Sequence, residues 1–272
     1  MDVTIRATID EQAPVARGEV LVSWYRSAIG HFFSDGREET SGSYALITES
    51  MSGGRDFRLK DVRENLPALS DQLRRHPFYA SVGFHSSLPD EDEEDDWTED
   101  FGRVASSHEG RGGSHTGLAV DLTAGDRIGD PALCSGVVDF LAEALDGGNP
   151  VFARVEHGNF SYTTDLEAGL RRSRRKSLRE ARSYLRGYSW VTGVPSELAA
   201  RQGLAATGAF HRVEELRSGG LLLQASETLA GYSDHAMRGA FTALAPVLPP
   251  GIPREDPAHP DMRLVFEDAS GV

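Results

Sequence analysis

The chain has 272 residues, one cysteine, 28 basic against 42 acidic side chains and a net charge of −14. That length carries one large domain or two lobes of ordinary size. An anionic surface repels phosphate backbones and anionic lipid, which argues against nucleic acid and membranes as partners and in favour of a basic protein.

No apolar run approaches the roughly 18–20 residues needed to cross a bilayer. Met1-Asp2-Val3-Thr4-Ile5 has neither the basic nor the apolar region of a secretory signal. Cys134 has no second cysteine to pair with, which agrees with a reducing compartment. The expectation is a cytoplasmic protein.

Val3, Ile5, Ala7 and Ile9 alternate with polar residues, the period of a half-buried strand. Val20, Leu21, Trp24, Ala28 and Phe32 recur at helical spacing, and Ser34-Asp35-Gly36 ends that helix. Tyr44–Thr48 reads as a short strand. Arg63–Arg75 reads as a helix with Leu66, Leu69 and Leu73 inward, stopped by Pro77, and Phe78–Phe84 returns as a strand.

Residues 90–100 hold nine carboxylates in eleven positions. Self-repulsion and the lack of apolar residues predict a solvated loop there. The Gly, Ser and His that follow extend the irregular stretch over about 88–116. Beyond it, Gly117–Leu122 is extended, Pro131–Leu145 is helical behind an Asp130-Pro131 start, and Val151–Val155 is extended.

Asp165–Arg186 reads as a connecting helix, with eight Arg or Lys between 171 and 186. Such a helix can dock on an acidic face of the same chain or of a partner. Strands at Tyr188–Gly193, His211–Leu216 and Leu221–Ala225 follow, the last two flanking a Ser218-Gly219-Gly220 turn. A helix spans Ser233–Ala245, and Met262–Phe266 is a further strand candidate. Hairpins alternating with helices predict an α+β protein, two lobes of antiparallel or mixed sheet packed with helices. The lobes would be 1–164 and 187–272, joined by the basic helix 165–186.

Motifs for chemistry are sparse. Gly110-Arg111-Gly112-Gly113-Ser114-His115-Thr116-Gly117 lacks the Gly-Lys-Ser/Thr ending of a phosphate loop and leads into a strand rather than a helix. No Gly-x-Ser-x-Gly elbow occurs, and Cys134 falls among packing residues of a helix. His85, His108 and His115 could together form a metal site, with His157 nearby, which leaves a metal-dependent enzyme or small-molecule binder as the alternative function. No cofactor motif stands out. In the acidic run, Asp92, Glu93, Glu94 and Asp95 with Trp97 form a candidate contact surface for a basic protein, the tryptophan acting as an anchor.

Gly187-Tyr188-Ser189-Trp190-Val191, Pro195-Ser196-Glu197-Leu198-Ala199, Phe210-His211-Arg212-Val213 and Gly219-Gly220-Leu221-Leu222-Leu223-Gln224-Ala225 resemble the type VI immunity family over roughly residues 187–250. The resemblance implies a non-enzymatic protein that neutralises a toxin, and it brings no active-site residues.

Overall fold

A computed structural model describes residues 3–13, 15–34, 42–49, 56–85, 102–109, 114–158, 161–202, 204 and 208–272. The fold is α+β. Among the described residues, ten strands form a sheet in the order β3-β2-β4-β5-β6-β1-β7-β8-β10-β9, and every neighbouring pair is antiparallel. The strands are β1 (Val3–Asp10), β2 (Gly42–Thr48), β3 (Phe57–Lys60), β4 (Tyr79–His85), β5 (Gly102–Glu109), β6 (His115–Leu122), β7 (Phe152–His157), β8 (Val191–Val194), β9 (Arg212–Glu215) and β10 (Leu221–Gln224). The expectation of two lobes meets one continuous sheet. Ala153, Arg154 and Val155 of β7 pair with Gly193, Thr192 and Val191 of β8, which carries the ladder across the 165–186 segment.

β1 lies at the centre, between β6 and β7. Its odd-numbered residues face the apolar core, as their alternation requires. Its even-numbered residues, Thr4, Arg6, Thr8 and Asp10, are also buried, because the chain covers the second face of the sheet as well.

The first face carries α1 (Arg17–Phe32), α2 (Leu66–Arg74) and α3 (Pro131–Leu145). Two aromatic residues tie α1 to the sheet: Trp24 Nε1 donates to the Ala119 carbonyl at 3.2 Å, and the Tyr25 hydroxyl donates to the Ala80 carbonyl at 2.7 Å. Burial of both rings thus leaves no polar atom of theirs unmet. α3 starts as its sequence dictates, with Asp130 accepting from the Ala132 N–H and Pro131 in the first turn.

Residues 165–186, expected as one helix, form two short ones, α4 (Asp165–Gly169) and α5 (Arg174–Glu180). Arg171 adopts a left-handed φ of 51°, which ends the first helix, and Ser173 caps the second. Thr164 and Glu167 form a reciprocal capping box at α4. The C-terminal part packs on this segment: Leu185 N–H donates to the Val247 carbonyl, Arg254 N–H to the Gly169 carbonyl, and the Phe241 ring lies 5.9 Å from that of Tyr188. Phe241 belongs to α7 (Asp234–Leu244), while α6 is Ser196–Gln202.

Regular structure also enters the stretch expected to be irregular, since β5 and the start of β6 occupy 102–109 and 115–116. Small residues make that possible. Ser106 meets the Tyr25 hydroxyl at 3.2 Å, and a side chain at Gly117 would collide with the Glu109 carboxylate. Met262–Phe266 forms no strand, although Leu264 and Val265 are buried.

Candidate functional site at the end of β7

Asp92, Glu93, Glu94, Asp95 and Trp97 lie outside the described residues. The three histidines proposed as metal ligands are placed apart. His85 ends β4 opposite Gly42, whereas His108 sits near the other end of that strand, its N–H bonded to the Phe78 carbonyl. Seven strand residues separate the two levels, roughly 20 Å at about 3.3 Å per residue. His108 pairs with Thr116 and His115 with Glu109, so these two imidazoles point to opposite faces of the sheet.

His108 lies against His76, ring centres 4.4 Å apart and tilted by 33°, and meets Phe78 edge-to-face at 5.4 Å. Burial, with the nearby Arg17 charge, lowers the pKa of His108 and holds His76 at about 4. Burial lowers His115 too, opposed by Asp10 and Glu109. Among the described residues, no three His, Cys, Asp or Glu side chains gather to hold a metal ion. Cys134 is a packing residue whose Sγ accepts from the Leu229 N–H at 3.4 Å, and burial raises its pKa.

The second face of the sheet holds a lattice of charge pairs. Arg6 and Arg103 both engage Asp121, at 2.6 and 3.0 Å. Arg186 binds Glu167 at 2.8 Å, Arg174 pairs with Glu109, and Arg172 binds Glu180 at 2.5 Å. Arg182 binds both Asp10 and Glu197 at 2.7 Å. Four of the eight cations of the basic run therefore pair with acidic groups of its own chain, while Arg171, Arg175, Lys176 and Arg179 are exposed.

Where this lattice ends, the structure opens into a cavity of about 330 Å³. Val155, Glu156 and His157, consecutive in β7, all line it, so it wraps around the strand's end. The other walls come from distant segments: Asp165 from the start of α4, Tyr188 and Trp190 from the approach to β8, Tyr232 from just before α7, and Asp261 and Arg263 from the C-terminal part.

Local bonds hold Asp165, Tyr188, Trp190 and Arg263. Asp165 Oδ2 accepts from the Arg263 N–H at 2.8 Å, and the Tyr188 hydroxyl accepts from the Val265 N–H at 2.7 Å. Arg263 Nη2 donates to the Tyr232 carbonyl at 2.8 Å, with its guanidinium 5.4 Å from the centre of the Tyr232 ring. Trp190 Nε1 donates to the Ser226 carbonyl at 2.8 Å.

Among the described residues, two polar atoms of the cavity lining have no hydrogen-bond partner, the Tyr232 hydroxyl and Glu156 Oε2. Arg154 Nη1 lies 3.1 Å from Glu156 Oε2 but is not aligned to donate to it. Burial pushes Glu156 up to about 7 despite Arg154, and burial also raises Asp165. The Tyr188 and Tyr232 phenols are raised as well, Tyr188 to about 12, so both keep their protons at neutral pH. A carboxyl that titrates near neutrality in a part-apolar cavity can hold a cation or exchange a proton.

The fold is similar to that of a solved T6SS protein of Pseudomonas aeruginosa. The two share 12% sequence identity with a TM-score of 0.53, over 97% of this chain and 78% of that one. At that identity the likeness shows the fold alone. No protein-family model matches the chain, and no curated protein matches its sequence.

Sequence reasoning identified none of Glu156, Asp165, Tyr232 or Arg263 as site residues. The one local signal was the charged pair Arg154 and Glu156, two residues apart in an otherwise largely apolar strand. His157, noted beside the histidine set, does line the cavity.

Proposed function

We propose that the chain is an immunity-like protein, a non-enzymatic binder that docks and neutralises a basic protein partner of the type VI toxin class. The disposition of charge carries this reading. Arg172, Arg174, Arg182 and Arg186 are engaged by Glu180, Glu109, Asp10, Glu197 and Glu167, so half of the basic run is matched within the chain, while Arg171, Arg175, Lys176 and Arg179 are exposed. The net charge of −14 then acts on a partner as an anionic field. Such a field accelerates encounter with a basic protein and disfavours acidic competitors.

The likeness to a T6SS protein and the immunity-like blocks within 187–250 support the same context. The contact surface we assign is the acidic run with Asp92, Glu93, Glu94, Asp95 and Trp97. Among the described residues no helix is long and apolar enough to cross a membrane.

The test is capture from the native host followed by native mass spectrometry and a growth assay. The expected result is a basic protein bound at fixed stoichiometry, toxic when expressed alone and harmless when this chain is co-expressed. A partner that is not toxic, or toxicity that co-expression leaves unchanged, overturns the reading. Replacing the four carboxylates by Asn or Gln slows association and flattens its salt dependence; unchanged kinetics remove that surface from the proposal.

A further inference from the structure

We propose that the cavity at the end of β7 binds one small organic cation, an amine or guanidinium carried on an apolar stem. This site is independent of the partner surface proposed above.

Three features define the ligand. The first is charge. Glu156, Asp165 and Asp261 line the cavity, and Arg263 is the one guanidinium among the lining residues. That guanidinium is already held by the Tyr232 carbonyl and lies 3.5 Å from Asp234. An anionic ligand would enter a space dominated by carboxyl groups, whereas a cation relieves their desolvation.

The second feature is unmet hydrogen-bonding capacity. The Tyr232 side chain is buried, with the residue 8% exposed, and its hydroxyl has no hydrogen-bond partner among the described residues. Glu156 Oε2 accepts no hydrogen bond among the described residues either, although Arg154 Nη1 lies 3.1 Å from it. Buried polar atoms left open carry a cost of about 1–3 kcal/mol each, which a donor-only group such as an ammonium removes. A hydrocarbon ligand would leave both atoms unmet.

The third feature is the apolar wall. Trp190, Tyr188, Val155 and Leu229 line the same space, giving the stem a surface and offering aromatic faces to the charge. A volume of about 330 Å³ lies at the small end of ligand pockets, which run from roughly 300 to 1,000 Å³.

Binding is coupled to a proton. Glu156 feels Arg154 on its own strand, Arg6 on β1, and Asp165 and Glu167 on α4, with the neutral Tyr232 phenol facing it from before α7. In the empty cavity its carboxyl is protonated for part of the time at neutral pH. A bound cation favours the carboxylate, so binding releases that proton and tightens as pH rises through neutrality.

The experiment is isothermal titration calorimetry of the full chain with phenethylamine. 2-Phenylethanol and phenylacetate serve as neutral and anionic counterparts of the same stem. Repeating the titration near neutral pH in two buffers of different ionisation enthalpy reads the proton. The expected result is at least about tenfold preference for the amine over either counterpart, a fractional proton released, and a change in Trp190 fluorescence. Glu156→Gln should lose about tenfold in affinity and the proton release together. Tyr232→Phe keeps the ring and loses a few-fold in affinity; it carries the test if the first variant does not fold. Equal binding of amine and alcohol, tighter binding of phenylacetate, or no binding of any of the three up to about 10 mM overturns the proposal. None of these results depends on a protein partner, so failure here leaves the immunity-like reading standing, and the converse holds.

Discussion

Arg182 grips Asp10 with two parallel bonds, Nε to Oδ2 at 2.9 Å and Nη2 to Oδ1 at 2.7 Å, across 172 residues of sequence. Its remaining nitrogen, Nη1, donates to both Glu197 oxygens at 2.7 Å. One guanidinium thus joins the end of β1, the segment after α5 and the start of α6. Arg182→Ala leaves Asp10 buried beside Glu197 with no cation, and removing one member of a buried pair costs about 3–5 kcal/mol. Arg182→Lys keeps the charge but loses the fork, for a smaller loss of about 1–2 kcal/mol. Urea denaturation should show both as shifts in midpoint at unchanged slope. A loss below about 1 kcal/mol for the alanine variant would place the pair with ordinary surface bridges.

Glu156 gives the protein an unusual alkaline sensitivity. Its folded pKa of about 7 stands above the ordinary 4.5, so the native state binds this proton more tightly than the unfolded chain does. The contribution is fully present below 4.5 and is lost as pH rises through about 7. The full difference corresponds to roughly 3 kcal/mol once the group is ionised. Glu156→Gln removes the titration. Its stability relative to the parent chain should climb by up to about 3 kcal/mol from acid to mildly alkaline pH. A flat difference would mean that the carboxyl titrates normally.

His76 works in the opposite direction. Burial, then the charges of Arg17 and His108, hold it at about 4 against an ordinary 6.5. The unfolded chain takes up this proton first, so the contribution is present above 6.5 and is lost as pH falls toward 4. Its window overlaps that of Glu156 with the opposite sign, which flattens the parent profile between the two. Proton NMR of the imidazole should show His76 titrating near 4, not 6.5. His76→Asn, which tolerates the left-handed φ of 53° at this position, should lose less stability on acidification than the parent chain.

Local features were read well and long-range ones poorly. Pro131–Leu145 matches α3 residue for residue, because Asp130, Pro131 and the spacing of Val137, Val138 and Leu141 act within a few positions of each other. The hairpin of β9 and β10 follows from its Gly-Gly turn for the same reason. By contrast, β5 was hidden because Ser106 and Ser107 are small for reasons set by their neighbours, Ser106 meeting Tyr25 on α1. The break at Arg171 depends on a backbone angle that arginine rarely adopts, and its composition gave no warning. The cavity is assembled from residues as distant as Glu156 and Arg263, a relationship that no periodicity encodes.

Two glycines separate helix propensity from packing. Both Gly18, in the first turn of α1, and Gly136, in the middle of α3, sit where alanine favours a helix by about 0.8–1.0 kcal/mol. A Cβ at Gly136 meets nothing within 4 Å, so Gly136→Ala should stabilise the protein by about 0.5–1 kcal/mol. At Gly18 the same atom would run into the Arg74 carbonyl, where α1 and α2 approach backbone to backbone. A backbone group cannot swing aside as a side-chain tip can, and overpacking of this kind costs about 1–3 kcal/mol. The clash outweighs the propensity gain, so Gly18→Ala should lower the melting temperature while Gly136→Ala raises it. If both variants rise together, the α1–α2 contact is looser than the geometry requires.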